Sequence, residues 1–475
     1  MKKTKIVCTI GPASDSYEVL LNMARAGMDV VRLNLSHGDY SSHKKIIGHV
    51  RKIGKELNRP IGIMLDLQGP KIRIGELAKP IVLKKGTAVI LTHKVNEVGH
   101  TDHQVLPIQV DLRSSLKPED LILIDDGKIH LKVLRVKGLR VWARVESGGV
   151  LSTHKGINLP NSVVKIPLVS KKDEEDLKFG LENDVDFVAL SFVQHPRDLL
   201  HLQKLVKKHN RKNNTDPWII SKIEKASAVK EFEKILQFSG GAMVARGDLG
   251  VEIPAQEVPI VQKEIIELCL RNSKPSVVAT QMLDSMVKSP TPTRAEVTDV
   301  ANAVTDHADA VMLSQETAVG EYPVKAVELM SKIISETEAS IYDDLPHDYL
   351  KDEKNSRALA VADSAHELSK NTGAKAIVGA TVSGFTARMI SHQRPQNAEI
   401  IMMTQDEKVY RQMSLLWGVR AFMISRCRTL EEIIQKSVTL AKRRKLVKKG
   451  DKIVIVTGQP VGQRENMNLV EVQTV

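Results

Sequence analysis

Short apolar runs in this chain end in charged or hydroxyl side chains, and those ends are the first candidates for chemistry. In the run Trp218–Ile223 and the residue after it, Lys222 and Glu224 point the same way, because strand side chains alternate with period two. Asp248 follows a later apolar run in a similar manner. Two carboxylates on neighbouring strand ends repel each other unless a cation lies between them, and hard oxygen ligands suit Mg²⁺ or Mn²⁺. The sequence therefore predicts a divalent metal site at Glu224 and Asp248.

Positive charge is predicted at the same place. Five runs end in charged or hydroxyl groups. The first such run carries Arg32, Asn34 and Ser36 on one strand face, and another carries Lys222 and Glu224. The other three end in Asp66, Asp248 and Thr280. Arg32 and Lys222 would attract a ligand with phosphate or carboxylate groups and stabilise a transition state that gains charge on oxygen. Salt bridges at the rim of a sheet are the alternative explanation for any one of these residues. Their presence on five strands favours a site for phosphoryl transfer or enolate chemistry.

Eight apolar runs, each followed by a polar turn and a helical pattern, predict the elements that position these residues. They are Lys5–Ile10, Val30–Leu35, Ile61–Asp66, Phe187–Phe192, Trp218–Ile223, Ala242–Ala245, Ser276–Thr280 and Ala310–Leu313. Strands that are apolar on both faces and alternate with amphipathic helices such as Val258–Leu270 are typical of a closed parallel barrel. The predicted fold is α/β, a (β/α)8 TIM-type barrel with its site at the carboxyl ends of the strands. An open doubly wound sheet is the alternative.

The third and fourth predicted strands are separated by roughly 120 residues, far more than one helix needs, so a further domain is expected between them. Alternating apolar and polar residues there, clearest around Val141–Val145, predict a small β-barrel domain. Gly69-Pro70 and Ile166-Pro167 bracket it, and there a lid could hinge. The predicted division is barrel 1–69, inserted domain 70–166, barrel 167–342 and a C-terminal α/β domain 343–475.

The composition of the 475-residue chain argues against several classes of protein. Its three cysteines are widely spaced, which predicts neither a disulfide framework nor a thiolate metal site and suits the reducing cytoplasm. No apolar run approaches the ~20 residues of a membrane helix, and the N-terminus lacks the pattern of a secretory signal. The net charge of +12 would permit nucleic-acid binding. The basic runs have few aromatic neighbours, so we expect them to be a solvated helix end and predict no nucleic-acid partner.

Several stretches together resemble the pyruvate kinase family over nearly the whole chain. They are Thr4–Pro12, Ala279–Met286, Pro292–Val297 and Asp299–Val304. The resemblance implies transfer of phosphate from phosphoenolpyruvate to ADP, which gives pyruvate and ATP in glycolysis. It also implies that Glu224 and Asp248 hold the magnesium ion, and that the chain forms a homotetramer.

The resemblance implies roles for the residues already singled out. Lys222 would stabilise the phosphoryl group in transfer, and the enolate of pyruvate would be protonated near Thr280. Phosphoenolpyruvate would contact Arg32, Gly247, Asp248 and Thr280, and the nucleotide would contact Asn34, His37, Arg73 and Lys155. Closure of the inserted domain would exclude water and limit hydrolysis.

Lys71 departs from the potassium-dependent members of the family, which carry glutamate at this position. By resemblance, the monovalent-cation site maps to Asn34, Ser36, Asp66 and the carbonyl of Leu67. A fixed ammonium at Lys71 can supply the positive charge that bound potassium otherwise provides. We therefore predict that activity requires no potassium. Lys225, His307 and Gln315 also depart from the family pattern, where asparagine stands at the first position and glycine at the other two; we assign them no consequence.

The turn Thr381–Thr386 is rich in hydroxyl groups, contains a glycine and precedes a predicted helix, and it resembles the family's sugar-phosphate effector loop. The expected contacts are Thr381, Ser383, Gly384 and Thr386. An ordinary strand-to-helix turn with a capping hydroxyl is the alternative. Because the closing segment Thr457–Arg464 differs from the usual effector loop, we expect a sugar monophosphate or AMP as effector and not fructose 1,6-bisphosphate.

Two other functions fit parts of this pattern. A magnesium-dependent lyase or aldolase of the phosphoenolpyruvate and pyruvate barrels would also hold an enolate with carboxylates, but the inserted β domain argues against it. A basic binding or scaffolding protein with an inactive barrel would fit the net charge alone. The joint presence of Arg32, Lys222, Glu224, Asp248 and Thr280 argues against that function.

Overall fold

The computed structural model describes residues 2–94, 103–160, 162, 167–210, 216–343 and 356–475. Ile166 of the second predicted hinge, and with it that boundary of the inserted domain, lies outside the described residues, as does the polar stretch 344–355. The division into domains therefore stays a prediction. None of the described helices is both long and apolar enough to cross a bilayer.

Eight parallel strands close into a barrel, which confirms the predicted fold. In chain order, and hereafter called the first to eighth barrel strands, they are Lys5–Ile10, Val30–Asn34, Gly62–Leu67, Phe187–Leu190, Trp218–Ile223, Gly241–Ala245, Ser276–Ala279 and Ala310–Leu313. Each strand pairs with the one before and the one after it, and the eighth closes the ring by pairing with the first. The barrel therefore has no free edge.

Apolar side chains cover both faces of the barrel strands. One buried cluster, which includes Val7, Met64, Phe187 and Met243, comes mainly from alternate strand residues. A larger buried cluster joins the remaining strand residues to the surrounding helices. Burial on both sides explains why the strands read as continuous apolar runs rather than as an alternating pattern.

Helices follow the barrel strands and surround the ring. Their bounds are Tyr17–Ala26, Tyr40–Glu56, Lys171–Glu182, Pro196–His209, Ala226–Lys230, Phe232–Phe238, Arg246–Glu252, Val258–Arg271, Arg294–Thr305, Gln315–Ala318 and Pro323–Glu338, with 3₁₀ turns at Ala255–Glu257, Asp284–Val287 and Ile341–Asp343. Ser16, Asp39, Ser170 and Thr293 each cap a helix by accepting a backbone hydrogen bond from its first turn.

The segment between the third and fourth barrel strands is a β domain, as predicted. One sheet has six strands in the order Ile157–Asn158, Leu121–Ile124, Ile129–Lys137, Arg140–Ser147, Ala88–Thr92 and Gln104–Pro107, and Ile81–Leu83 pairs separately with Gly149–Leu151. The strands Ala88–Thr92 and Gln104–Pro107 pair in parallel, and all the other pairings of the domain are antiparallel. The domain has its own buried core, which includes Ile74, Val89, Leu131 and Val145.

The C-terminal segment is an α/β domain, which also agrees with the prediction. Its sheet has the order Val419–Met423, Glu399–Thr404, Ala376–Ala380, Lys452–Thr457 and Leu469–Thr474, and only the last strand is antiparallel to its neighbour. Its helices are Arg357–Thr372, Phe385–His392, Glu407–Gln412 and Leu430–Arg443, with a 3₁₀ turn at Met413–Leu415.

Several strand ends differ from the predicted ones by a residue or two. The second barrel strand ends at Asn34, so Ser36 lies in an exposed turn. The prediction that Ser36 shares a strand face with Arg32 and Asn34 was therefore wrong. Similarly, Thr280 lies just beyond the seventh strand, in a left-handed conformation with φ of 73°. The apolar pattern marks where a strand runs but not where its ladder of hydrogen bonds stops.

Candidate active site

Lys222, on the fifth barrel strand, lies at the centre of a cluster of polar side chains at the carboxyl ends of the strands. Its Nζ is 2.9 Å from Glu224 Oε1 and 3.3 Å from Asp66 Oδ1, and it donates a hydrogen bond of 2.7 Å to Ser191 Oγ. Parallel pairing of the third, fourth and fifth strands brings these groups together. Lys222 and Glu224 point the same way, as the period of two requires.

Burial and charge act in opposite directions on the Lys222 ammonium. Removal from water acts to lower the pKa of Lys222, while the negative charges of Asp66 and Glu224 raise it. The charges prevail, and the pKa lies above its ordinary value. Lys222 is therefore a permanent cation whose position is fixed from three sides.

Arg32, on the second barrel strand, adds a second cation to this cluster. Its Nε donates a hydrogen bond of 2.7 Å to Asp66 Oδ2, and its Nη1 donates one of 2.9 Å to Thr9 Oγ1. Burial acts to raise the pKa of Asp66, but Lys222 and Arg32 lower it below its usual value. Asp66 is thus a buried anion that orients both cations.

Glu224 and Asp248 have the chemistry that a divalent cation needs. Burial raises the pKa of Glu224, and the negative charge of Asp248 raises it further against the opposing effect of Lys222. A cation between these carboxylates would relieve that repulsion. No group of three or more metal-binding side chains occurs in the described part of the chain. The pair therefore fits Mg²⁺ or Mn²⁺ whose remaining ligands come from substrate and water.

Thr280 and Gly247 are held together beside the sixth and seventh strand ends. The Gly247 amide donates a hydrogen bond of 2.8 Å to Thr280 Oγ1, and that hydroxyl donates one of 2.6 Å to the Ala279 carbonyl. Arg246 donates a hydrogen bond of 2.7 Å to the Thr280 carbonyl and forms an ion pair with Asp299. These contacts hold Thr280 in its left-handed conformation, which costs energy for a β-branched residue.

The predicted nucleotide contacts of the inserted domain bond within that domain. Arg73 donates to the His154 carbonyl at 3.1 Å, and Lys155 lies 2.8 Å from Asp125. Among the described residues, neither side chain forms a hydrogen bond or ion pair with the barrel. Lys71, unlike Arg73 and Lys155, lines a cavity together with the barrel residues Asp248 and Lys225. It forms no ion pair with any described residue, which leaves its ammonium free at the edge of the site.

Three of the four residues assigned to a monovalent cation already accept hydrogen bonds through their oxygens. Asn34 Oδ1 accepts one of 3.2 Å from the Ser36 amide, and the Leu67 carbonyl accepts one of 2.8 Å from the Ser191 hydroxyl. Asp66 faces Arg32 and Lys222. His37, assigned to the nucleotide, lies exposed in the turn after the second strand, where its carbonyl is bonded to the His43 ring.

Three of the predicted effector contacts, Thr381, Ser383 and Thr386, line one cavity of the C-terminal domain. Cationic side chains share that cavity, among them Arg426, Arg428 and Arg464. Gly384 is not among the residues that line it. Its φ is 80°, and a Cβ there would lie 2.9 Å from the Trp218 ring, so this position needs glycine for conformation and for packing.

Sequence reasoning missed Ser191 and Phe192, which lie at the end of the fourth barrel strand. Ser191 bonds Lys222, and the Phe192 amide donates a hydrogen bond of 2.7 Å to Glu224 Oε2. The signal was available, because Ser191 is a polar residue at the carboxyl end of a predicted strand. Thr9, which orients Arg32, was missed because a threonine inside an apolar run looks like an ordinary strand residue.

Comparisons with known proteins agree with this arrangement. Residues 1–327 match the family model "Pyruvate kinase, barrel domain", and residues 359–473 match "Pyruvate kinase, alpha/beta domain". A pyruvate kinase of Staphylococcus epidermidis is 42% identical over 480 residues, covering 100% of this chain and 81% of that protein. A pyruvate kinase of Clostridium acetobutylicum is 39% identical over 477 residues, and the match covers 100% of this chain and 100% of that protein.

A solved structure gives the same result for the fold. The crystal structure of a pyruvate kinase from Cryptosporidium parvum is similar with a TM-score of 0.92 at 36% sequence identity. The match covers 100% of this chain and 96% of that one. The barrel, the C-terminal domain and the relatives over the full length lead to one conclusion. The chain belongs to the pyruvate kinase family and is a phosphotransferase.

Proposed function

We propose that this chain transfers the phosphoryl group of phosphoenolpyruvate to ADP and releases pyruvate and ATP, as a glycolytic enzyme. One observation carries the proposal. Lys222 Nζ lies within 3.3 Å of both Asp66 and Glu224 at the mouth of the barrel, with Arg32 on the far side of Asp66. A buried, oriented ammonium is suited to a phosphoryl group that carries its charge on oxygen atoms.

Each residue of the cluster would have a distinct role in the reaction. Glu224 and Asp248 would hold Mg²⁺, which supplies a Lewis acid for the oxygens of the substrate when it is bound. Lys222 would donate hydrogen bonds to the phosphoryl oxygens in transfer, and Arg32 would hold the phosphate of phosphoenolpyruvate. Asp66 keeps both cations in place before the substrate arrives. Little reorganisation is then needed at the moment of transfer.

The reaction forms one bond to phosphorus and breaks another. An oxygen of the ADP β-phosphate forms the new bond to phosphorus, and the bond between phosphorus and the enolate oxygen breaks. The enolate then takes up a proton at its methylene carbon and becomes pyruvate. We assign this protonation to the region of Thr280, where a hydroxyl is held between the Gly247 amide and the Ala279 carbonyl. The nucleotide would bind toward Asn34, His37, Arg73 and Lys155.

A coupled assay tests the reaction. Pyruvate is followed by NADH oxidation with lactate dehydrogenase, in the presence of Mg²⁺. The proposal predicts pyruvate formation that depends on both phosphoenolpyruvate and ADP. A product with a new or broken carbon–carbon bond, formed without ADP, would instead support the lyase or aldolase alternative.

We also propose that activity needs no potassium, because Lys71 takes the place of that cation. Two observations support this. Lys71 forms no ion pair with any described residue and lines the cavity that contains Asp248. Three of the four residues assigned to potassium, Asn34, Asp66 and Leu67, already bind hydrogen-bond donors through their oxygens. Turnover in tetramethylammonium chloride should equal that in potassium chloride within about twofold. A fall of about tenfold or more without potassium, equivalent to about 1.4 kcal/mol, would contradict the proposal.

A sugar monophosphate or AMP is proposed as effector at the cavity lined by Thr381, Ser383 and Thr386. The observation that supports it is the clustering of Arg426, Arg428 and Arg464 around these hydroxyl groups, because guanidinium groups bind phosphate well. Titration of glucose 6-phosphate, ribose 5-phosphate and AMP should shift the phosphoenolpyruvate saturation curve for at least one of them. An unchanged curve with all three would contradict the proposal.

The resemblance further supports a homotetramer in the cytoplasm. All three cysteines, Cys8, Cys269 and Cys427, are buried and free, which suits a reducing compartment. Sedimentation equilibrium should give four times the chain mass of 52.6 kDa. A mass of one or two chains at micromolar concentration would contradict the tetramer.

A further inference from the structure

Lys225, the residue after Glu224, joins the barrel to the inserted domain through a buried ion pair. Its Nζ lies 2.5 Å from Glu252 Oε1, and the two side chains are 11% and 1% exposed. The same Glu252 oxygen accepts a hydrogen bond of 3.0 Å from Asn158 Nδ2. Asn158 is buried on the strand Ile157–Asn158 of the inserted domain. One carboxylate oxygen therefore binds a barrel lysine and an amide of the inserted domain at once.

The two barrel residues of this link, Lys225 and Glu252, each lie in a segment that carries a proposed metal ligand. Lys225 directly follows Glu224 and precedes the short helix Ala226–Lys230. Glu252 is the last residue of the helix Arg246–Glu252, whose first turn carries Asp248. If the inserted domain moves away from the barrel, the hydrogen bond from Asn158 must break. The link therefore connects the position of the inserted domain to the elements that hold Glu224 and Asp248.

Lys225 is the cation that faces the buried Glu252 carboxylate. A carboxylate with 1% exposure needs a cation or several hydrogen bonds, and the Asn158 amide alone would leave its charge uncompensated. Lys225 Nζ also lies 5.8 Å from the ring centroid of Phe192, whose amide binds Glu224. The family pattern has an uncharged asparagine at this position. An asparagine there could not supply the cation that Glu252 faces in this chain.

We propose that Lys225 is a positioning residue that holds the inserted domain closed over the active site through Glu252 and Asn158. The inference rests on the proposed phosphoryl transfer, because the benefit of closure is the exclusion of water from the phosphoryl group. When the link is broken, water can replace ADP as acceptor. The water oxygen then forms the bond to phosphorus, the bond to the enolate oxygen breaks, and pyruvate and inorganic phosphate are released after proton transfer.

Kinetics of Lys225→Met test the proposal. We expect the KM for ADP to rise about fivefold and the ratio of phosphate release to ATP formation to rise about tenfold, with the KM for phosphoenolpyruvate changed by less than about twofold. Lys225→Arg should restore both values, because it keeps the cation. Lys230→Met is the matched control, since Lys230 is exposed on the helix that follows Lys225, and it should behave as the unaltered chain. A role in folding alone would lower the melting temperature of Lys225→Met without changing the product ratio, and that result would overturn the proposal.

Asn158→Ala gives a second test, and hydrogen exchange adds a readout that does not depend on activity. Asn158→Ala keeps the Lys225–Glu252 ion pair and removes only the contact from the inserted domain, so the product ratio should again rise. The Ile157 amide, bonded to the Ile72 carbonyl at 2.9 Å, should exchange faster in both variants. Unchanged exchange and an unchanged ratio would overturn the inference. If the unaltered chain shows no phosphoryl transfer, the proposed function fails, whereas faster exchange at Ile157 in the variants would still support the contact between the inserted domain and the barrel.

Discussion

Asp66 and Glu224 are both buried carboxylates beside Lys222, yet their pKa values move in opposite directions. The pKa of Asp66 is lowered because Lys222 and Arg32 both face it, whereas the pKa of Glu224 is raised by burial and by the nearby Asp248. At the scale of single residues, Asp66 is therefore the anion that orients the cations. Glu224 is the anion that gains from a further cation, which is what a metal ligand requires.

Lys222→Met should lower kcat by at least about a hundredfold, while the affinity for phosphoenolpyruvate changes by less than about fivefold. The reason is that the ammonium helps most when charge moves onto the phosphoryl oxygens in the transition state. Steady-state kinetics with a separate binding titration measure both quantities. A loss of affinity for phosphoenolpyruvate with an unchanged kcat would instead show that Lys222 binds the ground state and the transition state equally.

Lys5 gives a prediction on pH, because burial lowers its pKa to about 8 from the ordinary value of 10.5. Between these values the unfolded chain binds more protons, so this residue adds stability at high pH that is lost as pH falls through about 8. Lys5→Met removes the effect. As the pH falls from 9.5 to 7, the unaltered chain should therefore lose about 2 kcal/mol of unfolding free energy relative to Lys5→Met.

Urea unfolding at the two pH values measures that difference. The buried Nζ of Lys5 also donates to the Val419 carbonyl at 3.0 Å, and loss of this bond adds a cost that is similar at both pH values. Lys44→Met is the control, because Lys44 is exposed. The same difference at both pH values for Lys5→Met would contradict the prediction.

At the scale of elements, the sequence predicts the barrel well and its strand ends less well. All eight strands were predicted from apolar runs, because a strand buried on both faces of a parallel barrel must be apolar throughout. The same reasoning named Lys222, Glu224 and Asp66, which the structure brings into contact. Ser191 and Thr9 could not be assigned partners, since their roles depend on which neighbouring strand lies beside them in space.

The helix Lys171–Glu182 begins at a capping serine. Ser170 caps it by accepting a hydrogen bond of 3.1 Å from the Asp173 amide, and Asp173 in turn accepts one of 3.1 Å from the Gly69 amide at the predicted hinge. Ser170→Ala should lower the unfolding free energy by about 1 kcal/mol, measured in urea. Ser41→Ala, in the first turn of the helix Tyr40–Glu56, should change it by less than about 0.5 kcal/mol. Equal effects would contradict the capping role.

At the scale of the whole molecule, contacts between domains were beyond sequence reasoning. Asn158 and Glu252 are 94 positions apart, and no local pattern indicates that an amide of one domain meets a carboxylate of another. The existence of the inserted domain was predictable, because a gap of that length needs a domain. The way it contacts the barrel depends on the packing of both domains.

Arg394 and Asp309 connect the C-terminal domain to the barrel in the same manner. They lie 3.3 Å apart with each side chain 1% exposed, and Arg394 also donates to the His307 carbonyl. Arg394→Met should cost about 3–5 kcal/mol in urea unfolding, because it leaves a buried carboxylate without its cation. Arg420→Met is the control, since its ion pair with Glu399 is exposed and should be worth less than about 1 kcal/mol. Similar costs for the two variants would contradict this view of the interface.

Phosphorus NMR of the reaction mixture tests the central claim most directly. With phosphoenolpyruvate, ADP and Mg²⁺, and without potassium, the phosphoenolpyruvate signal should disappear as the γ-phosphate signal of ATP grows in equal amount. The same mixture with Lys222→Met should remain almost unchanged over that time. Loss of phosphoenolpyruvate without ATP, or an equal rate with Lys222→Met, would contradict the assignment of phosphoryl transfer to the cluster around Lys222.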